Sequence, residues 1–276
     1  MIKQLTFLLK VSRPVTWPVG YLLLLTGFLV AGGSADAYAL SYFAIFTMLF
    51  AFVIFGLNDA HDYETDRFSR RKGFLEGALV PKGMHGLVAK SAIAAALLLL
   101  AVTAAVNFSS LGATFLGIFF AYAYSVPPLR LKEKPLLDSL SNIPIVLAFL
   151  LAGFFFGMPL AEFPPKLLFA SLGAAGIHAL AAIVDYHNDR KAKINTIATK
   201  FGIRFAAIFS LLITTAIIAF SGVKSLPLNV FLWLMLAVFA AIAMKPAPRL
   251  ARALGKWSLA AFVAAMIAFL YQQFYK

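Results

Sequence analysis

Residues 38–66 read YALSYFAIFTMLFAFVIFGL-NDAHDYETD. Positions 38–57 carry no charge, and about 20 apolar residues are what a helix needs to cross a bilayer's hydrocarbon. The next nine positions hold Asn58, Asp59, Asp62, Glu64 and Asp66. A membrane-length helix ending in clustered carboxylates decides the fold class. It also raises a question of chemistry, because carboxylates near lipid are costly and mark functional sites.

The pattern recurs. A second apolar run, 166–184, is followed by D-Y-H-N-D-R-K from Asp185 to Lys191. Six of the chain's eleven acidic residues fall in these two stretches, too large a share for the solvated ends of ordinary helices. Asn58, Asp62 and Asp66 are spaced i, i+4, i+8, and Asp185 and Asp189 repeat the i, i+4 step. On a helix these spacings put oxygen ligands on nearly one face. Close carboxylates repel unless a cation lies between them. Mg²⁺ favours oxygen ligands and binds through a few carboxylates together with substrate phosphates.

Composition agrees. The chain of 276 residues is 62% hydrophobic and 13% charged, with mean hydropathy +0.89. A soluble domain carries about 25% charged residues, so the expectation is an all-α polytopic membrane protein. The absence of cysteine excludes disulfides, thiolate metal sites and cysteine catalysis. The four histidines, His61, His85, His178 and His187, show no zinc spacing. The start MIKQLTFLLKVSRP leads into a full-length apolar run, which reads as no cleavable signal peptide.

Nine spans can be read, at 14–33, 38–57, 86–106, 109–125, 138–158, 166–184, 203–222, 226–244 and 255–273. Twenty-one of the 24 Lys and Arg residues fall in alternate connections on one side; only Lys166, Lys224 and Lys276 lie opposite. The positive-inside rule then predicts a cell-membrane protein with a cytoplasmic N-terminus, cytoplasmic acidic motifs and an external C-terminus. The net charge of +13 is read as meeting anionic lipid rather than nucleic acid. The acidic motifs end the second and sixth spans, each before a basic loop. A diverged duplication of spans 1–4 and 5–8 explains this; so does independent origin. A third segment, Y-S-V-P-P-L-R-L-K from Tyr124 to Lys132, follows the fourth span. Its prolines stop the helix and bring Arg130 and Lys132 to the level of the acids. Arg grips phosphate in bidentate fashion, and Lys acts as a point charge.

These motifs together, N-D-x-x-D-x-x-x-D, D-x-x-x-D and Y-S-x-P-P-x-R-L-K on nine spans, resemble the UbiA superfamily of intramembrane prenyltransferases over essentially the whole chain, 1–276. The resemblance implies one transmembrane domain around a central cavity, under a cytoplasmic cap formed by the loops after spans 2 and 6. It implies that Asn58, Asp62, Asp66, Asp185 and Asp189 hold two Mg²⁺ ions bridging to a prenyl diphosphate, with Asp59 close by. Lys72, Tyr124, Arg130, Lys132 and Arg190 would contact the diphosphate. The acceptor would be lipophilic. The catalytic set would be Asp59, Asp62, Asp66, Asp185 and Asp189, with Asp59 or Asp66 taking up the released proton.

The branch is read from smaller features. Many members follow the first motif with R-P-[IL]-P-x-G, whereas here Pro81 and Gly83 match its end and Ala78 stands in place of its arginine. The runs D-Y-E-T-D-R, H-A-L-A-A-I-V-D (178–185) and I-N-T-I-A-T-K-F-G (194–202) resemble the lycopene elongase branch, which adds C5 units to carotenoids. S-R-P-V-T-W-P (12–18) and Y-S-V-P-P-L-R-L-K resemble chlorophyll synthases. Aromatic acceptors of quinone, chlorophyll or archaeal-type lipid synthesis are therefore the alternative. A rival class is a cation-coupled transporter, which would carry its acids in mid-membrane within broken helices. A few of the 28 Phe and 9 Tyr residues are expected to line the chamber and the rest to pack helices or face lipid.

Overall fold

The computed structural model describes residues 2–34, 36–63, 77, 79–158 and 165–274. These residues form helices and the turns between them, and nine helical segments are long and apolar enough to cross a membrane. The chain parses into two compact units, Met1–Arg130 with Pro144–Glu162, and Leu131–Ile143 with Phe163–Lys276.

The first unit begins with a helix that hydropathy does not announce, α1 (Ile2–Val11). It stops at Ser12-Arg13-Pro14, where Arg13 adopts a left-handed conformation (φ 51°) and Pro14 opens a short 3₁₀ turn. The first span proper is α2 (Trp17–Val30). Next is α3 (Ala37–His61), capped at its N-terminus by the Asp36 carboxylate, which accepts from the Ala39 N–H at 2.7 Å. The unit continues with α4 (His85–Val106) and α5 (Leu111–Ser125). The fifth span is split between a short α6 (Leu137–Leu140), which belongs to the second unit, and α7 (Asn142–Gly157), most of which belongs to the first.

Small residues let the helices of this unit meet closely. A Cβ on Gly27 of α2 would collide with the Leu150 carbonyl of α7, and one on Gly153 with the Leu24 carbonyl. The two backbones therefore touch, as membrane helices do where glycine permits. Around this crossing the aromatics interlock. Phe43, Phe46 and Phe50 are fully buried, with Phe50 4.7 Å from Phe149 and Phe28 5.3 Å from Phe43 between ring centroids. Buried polar groups find partners: Tyr42 Oη donates to Thr103 at 3.1 Å, Ser110 to the Ala152 carbonyl at 2.8 Å, and Asn107 Nδ2 to the Phe155 carbonyl at 2.9 Å. Far from the acidic motif, α4 and α5 border an open apolar groove of about 840 Å³ lined by Leu100, Phe108 and Phe115.

The second unit is organised on α8 (Pro165–Lys191). After it come α9 (Ile197–Phe201), α10 (Ile203–Phe220), α11 (Leu226–Met244) and α12 (Pro248–Phe274). Its core joins Leu180 and Ile183 of α8 to Ile197, Ala207, Phe239 and Ile242. Ser210 of α10 donates to the Gly176 carbonyl of α8 at 3.0 Å.

Candidate functional site

The first motif sits where α3 ends. The helix runs four residues beyond its apolar stretch, so Asn58 and Asp59 lie on its last turn and Asp62 is the C-cap (φ −115°, ψ 11°). Asn58 and Asp62 thus span the helix end rather than stacking within it. Asp66 and Lys72 lie outside the described residues.

Arg130 closes over this end. Its N–H bonds the Val126 carbonyl at 3.0 Å just past the prolines, and its φ of 38° turns the chain back. Nη1 donates to the His61 carbonyl at 3.2 Å and Nη2 to Asp62 Oδ1 at 3.4 Å. A cation at a helix C-terminus meets both the partial negative charge of the terminal carbonyls and the carboxylate. The Y-S-V-P-P-L-R segment therefore reaches the acids of the first motif within one unit. Tyr124, on the last turn of α5, is half-buried.

Asp59 faces elsewhere. It is buried, and Oδ1 accepts from Arg13 Nη2 at 2.7 Å. The Arg13 guanidinium also lies over the Phe55 ring, 4.3 Å from its centroid. Gly77 closes the pair from the other side (φ 98°): a Cβ there would stand 2.9 Å from Arg13 Nε and 3.2 Å from Asp59 Oδ2. This partner is not among the residues the motifs single out. The signal available was an arginine immediately before the proline that ends an otherwise unremarkable N-terminal segment.

The second motif is helical throughout. Asp185 and Asp189 lie one turn apart on the last two turns of α8, both half-buried, and share a face. Arg190 points away from that face. It is exposed, lies 5.7 Å above the Tyr186 ring, and donates to Tyr186 Oη at 3.3 Å. Lys132, in the turn before α6, is buried, unusual for lysine. Asp138, wholly buried on α6, accepts the Ile197 N–H at 2.9 Å. That bond ties the segment carrying Lys132 to the helix that follows the second motif. Thr196 and Thr199 complete a reciprocal capping box on the same helix. Nothing in the sequence marked Asp138, which stands at the start of the fifth expected span.

Among the described residues no three acidic or histidine side chains converge. What each motif presents is a pair of oxygen donors, Asn58 with Asp62 and Asp185 with Asp189. Amide and carboxylate oxygens without sulfur or converging imidazoles suit Mg²⁺ and not zinc.

The chain matches the model of the UbiA prenyltransferase family over residues 20–259. It is 30% identical over 223 residues to a lycopene elongase/hydratase of Corynebacterium glutamicum, covering 75% of this chain and 73% of that one. It is 33% identical over 212 residues to a lycopene elongase/hydratase of Haloferax volcanii, covering 73% and 67%. A solved UbiA homolog of Archaeoglobus fulgidus, bound to DMAPP and Mg²⁺, superposes with a TM-score of 0.63 over 96% of this chain and 99% of that chain, at 23% identity.

Proposed function

Because the chain belongs to the UbiA prenyltransferase family, we propose that this integral membrane enzyme moves a C5 prenyl group from an allylic diphosphate to a carotenoid of the lycopene type. The observation that carries the acceptor class is the set of lycopene elongase/hydratase relatives, which align over most of their length as well as this chain's. An allylic diphosphate donor is consistent with the fold shared with a homolog solved with DMAPP and, separately, with GPP; the C5 unit follows from the elongase reading. The acids stand at span ends rather than in mid-membrane, as a phosphate site beside basic residues requires.

We assign Mg²⁺ binding to both motifs, through Asn58, Asp62 and Asp66 of the first and Asp185 and Asp189 of the second. When bound, Mg²⁺ neutralises the leaving diphosphate and draws electron density from the C1–O bond. Arg130 adds a fixed positive charge at the first motif, and we assign a second to Lys132. Both spare the diphosphate the cost of recruiting counter-charge as its bond breaks. Asp59 we assign to positioning: held by Arg13, it fixes the last turn of α3 and hence the direction of Asn58 and Asp62. The motifs and the N-terminus are placed on the cytoplasmic side of the cell membrane, where the basic connections lie.

The test is a donor–acceptor matrix. Purified protein in liposomes receives C5, C10, C15 or C20 diphosphate with lycopene, an aromatic acid or a chlorophyllide, and products are read by mass. Lycopene extended by C5 units is the expected product. Prenylation of the aromatic acid or chlorophyllide, with none of lycopene, would overturn the acceptor class.

A further inference from the structure

A positive φ is rare outside glycine and costs free energy, so it persists where the surroundings fix it, often at functional sites. Among the described residues four non-glycine positions adopt one: Arg13, Arg130, Leu136 and Lys193. The first two hold the acids of the first motif. The other two lie in the second unit, on two segments that Asp138 joins.

Lys193 (φ 58°) closes α8 just after the second motif. Its N–H donates to the Arg190 carbonyl at 3.2 Å, and the Ile194 N–H donates to the Asp189 carbonyl at 2.9 Å. This pair of bonds is a Schellman closure, in which glycine is the usual left-handed residue. Lysine takes that place here, so the turn draws support from the residues that follow. Thr199 Oγ1 donates to the Ile194 carbonyl at 2.8 Å and accepts the Thr196 N–H at 2.8 Å. The Ile197 N–H then donates to Asp138 Oδ2 at 2.9 Å. A chain of hydrogen bonds thus runs from the backbone of Asp189 to the carboxylate of Asp138.

The other end of this chain is equally fixed. Leu136 (φ 74°) is the N-cap of α6, two residues before Asp138. Although α6 is four residues long, it holds the second motif from both sides. Ser139 Oγ lies 3.3 Å from His178 Nδ1, seven residues before Asp185, and Asp138 holds Ile197, eight residues after Asp189. Asp138 is wholly buried, and its Oδ1 makes no hydrogen bond among the described residues. The neutral amide of Asn can therefore take over the one bond that the carboxylate makes.

We infer that Asp138 is a positioning residue for the metal site: by holding Ile197 it fixes the turn that closes α8, and with it the direction in which Asp189 is presented. This rests on the reading of Asp185 and Asp189 as Mg²⁺ ligands. Groups that orient metal ligands without touching the metal shift its affinity by about 10- to 100-fold when removed.

The competing role for Asp138 is to stabilise the fold without reaching the metal, and metal affinity separates the two. Purified protein in detergent is melted with a fixed excess of inorganic diphosphate while Mg²⁺ is titrated. The Mg²⁺ concentration that gives half the rise in melting temperature is the readout, and it needs no turnover. Asp138→Ala is expected to raise this midpoint about 10- to 100-fold, and Asp138→Asn, which keeps an acceptor for Ile197, to stay within about threefold of wild type. Thr199→Val breaks the chain at another link and is expected to raise the midpoint at least about fivefold; it carries the test if Asp138→Ala does not fold. A midpoint within about threefold of wild type in Asp138→Ala, or in Thr199→Val where Asp138→Ala does not fold, would overturn the inference, even with a lower melting temperature before ligand is added. Asp138→Asn as weak as Asp138→Ala would overturn it too, since Asn keeps the bond. Wild type and Asp189→Ala are measured first: no Mg²⁺-dependent rise in wild type, or an undiminished one in Asp189→Ala, would refute the metal reading, not the role of Asp138.

Discussion

At the scale of single residues, the two acids that sequence alone could not rank are separated by their partners. Asp62 meets Arg130 at the C-cap of α3, and Asp59 meets Arg13 on its last turn. Replacing Asp62 or Asp189 with Ala should abolish turnover while leaving the protein inserted and monodisperse. Near wild-type turnover in either variant would remove the two-motif metal site from the account. Arg13→Ala should act on stability: leaving the buried Asp59 carboxylate without its cation costs roughly 3 kcal/mol, read as a lower melting temperature in detergent. The double variant Arg13→Ala/Asp59→Asn should recover much of that loss, because the uncompensated charge is gone. The acids were legible because spacing and type carry the signal. The Arg13–Asp59 pair was not, because its members lie 46 residues apart and meet only through tertiary packing.

At the scale of elements, hydropathy found the spans but not their true ends. It places the sixth span at 166–184, whereas α8 continues through the second motif to Lys191. The ninth begins at Pro248, seven residues before its apolar stretch. Proline suits a helix's first turn, and R-L-A-R-A-L-G-K is helix-competent though polar on one side. A scale of apolarity registers lipid contact, not backbone hydrogen bonding, so it misses helical turns that emerge into water. The aromatic expectation is refined at this scale: Phe46 and Phe50 pack each other and Phe149, and Phe43 packs Phe28 and Phe156, rather than standing as open ring faces. The α2–α7 crossing depends on glycine. Gly153→Val should prevent accumulation of a folded monodisperse protein, whereas Gly112→Val, with open space around its Cβ position, should be tolerated. Size-exclusion profiles of the two variants make the comparison.

At the scale of the whole molecule, the alternation of basic connections predicts a topology. The chain has no cysteine, so single cysteines report sidedness without background. Cysteine at Lys193, after α8, should react only with permeant reagents in intact cells, and cysteine at Ser225, before α11, with impermeant ones. Reversed labelling would invert the membrane orientation and put the acids outside. The family and the count of spans were readable because a few motifs at fixed spans carry them. Acceptor choice was not, since it depends on chamber shape that periodicity does not encode. The paired oxygen motifs are proposed to work through Mg²⁺ to expel diphosphate. This role is tested most directly by diphosphate release from the C5 donor with lycopene in liposomes, after EDTA and then with Mg²⁺ restored. The account predicts that release stops with EDTA and returns with Mg²⁺, in step with C5-extended lycopene. Release that continues undiminished in EDTA would contradict it.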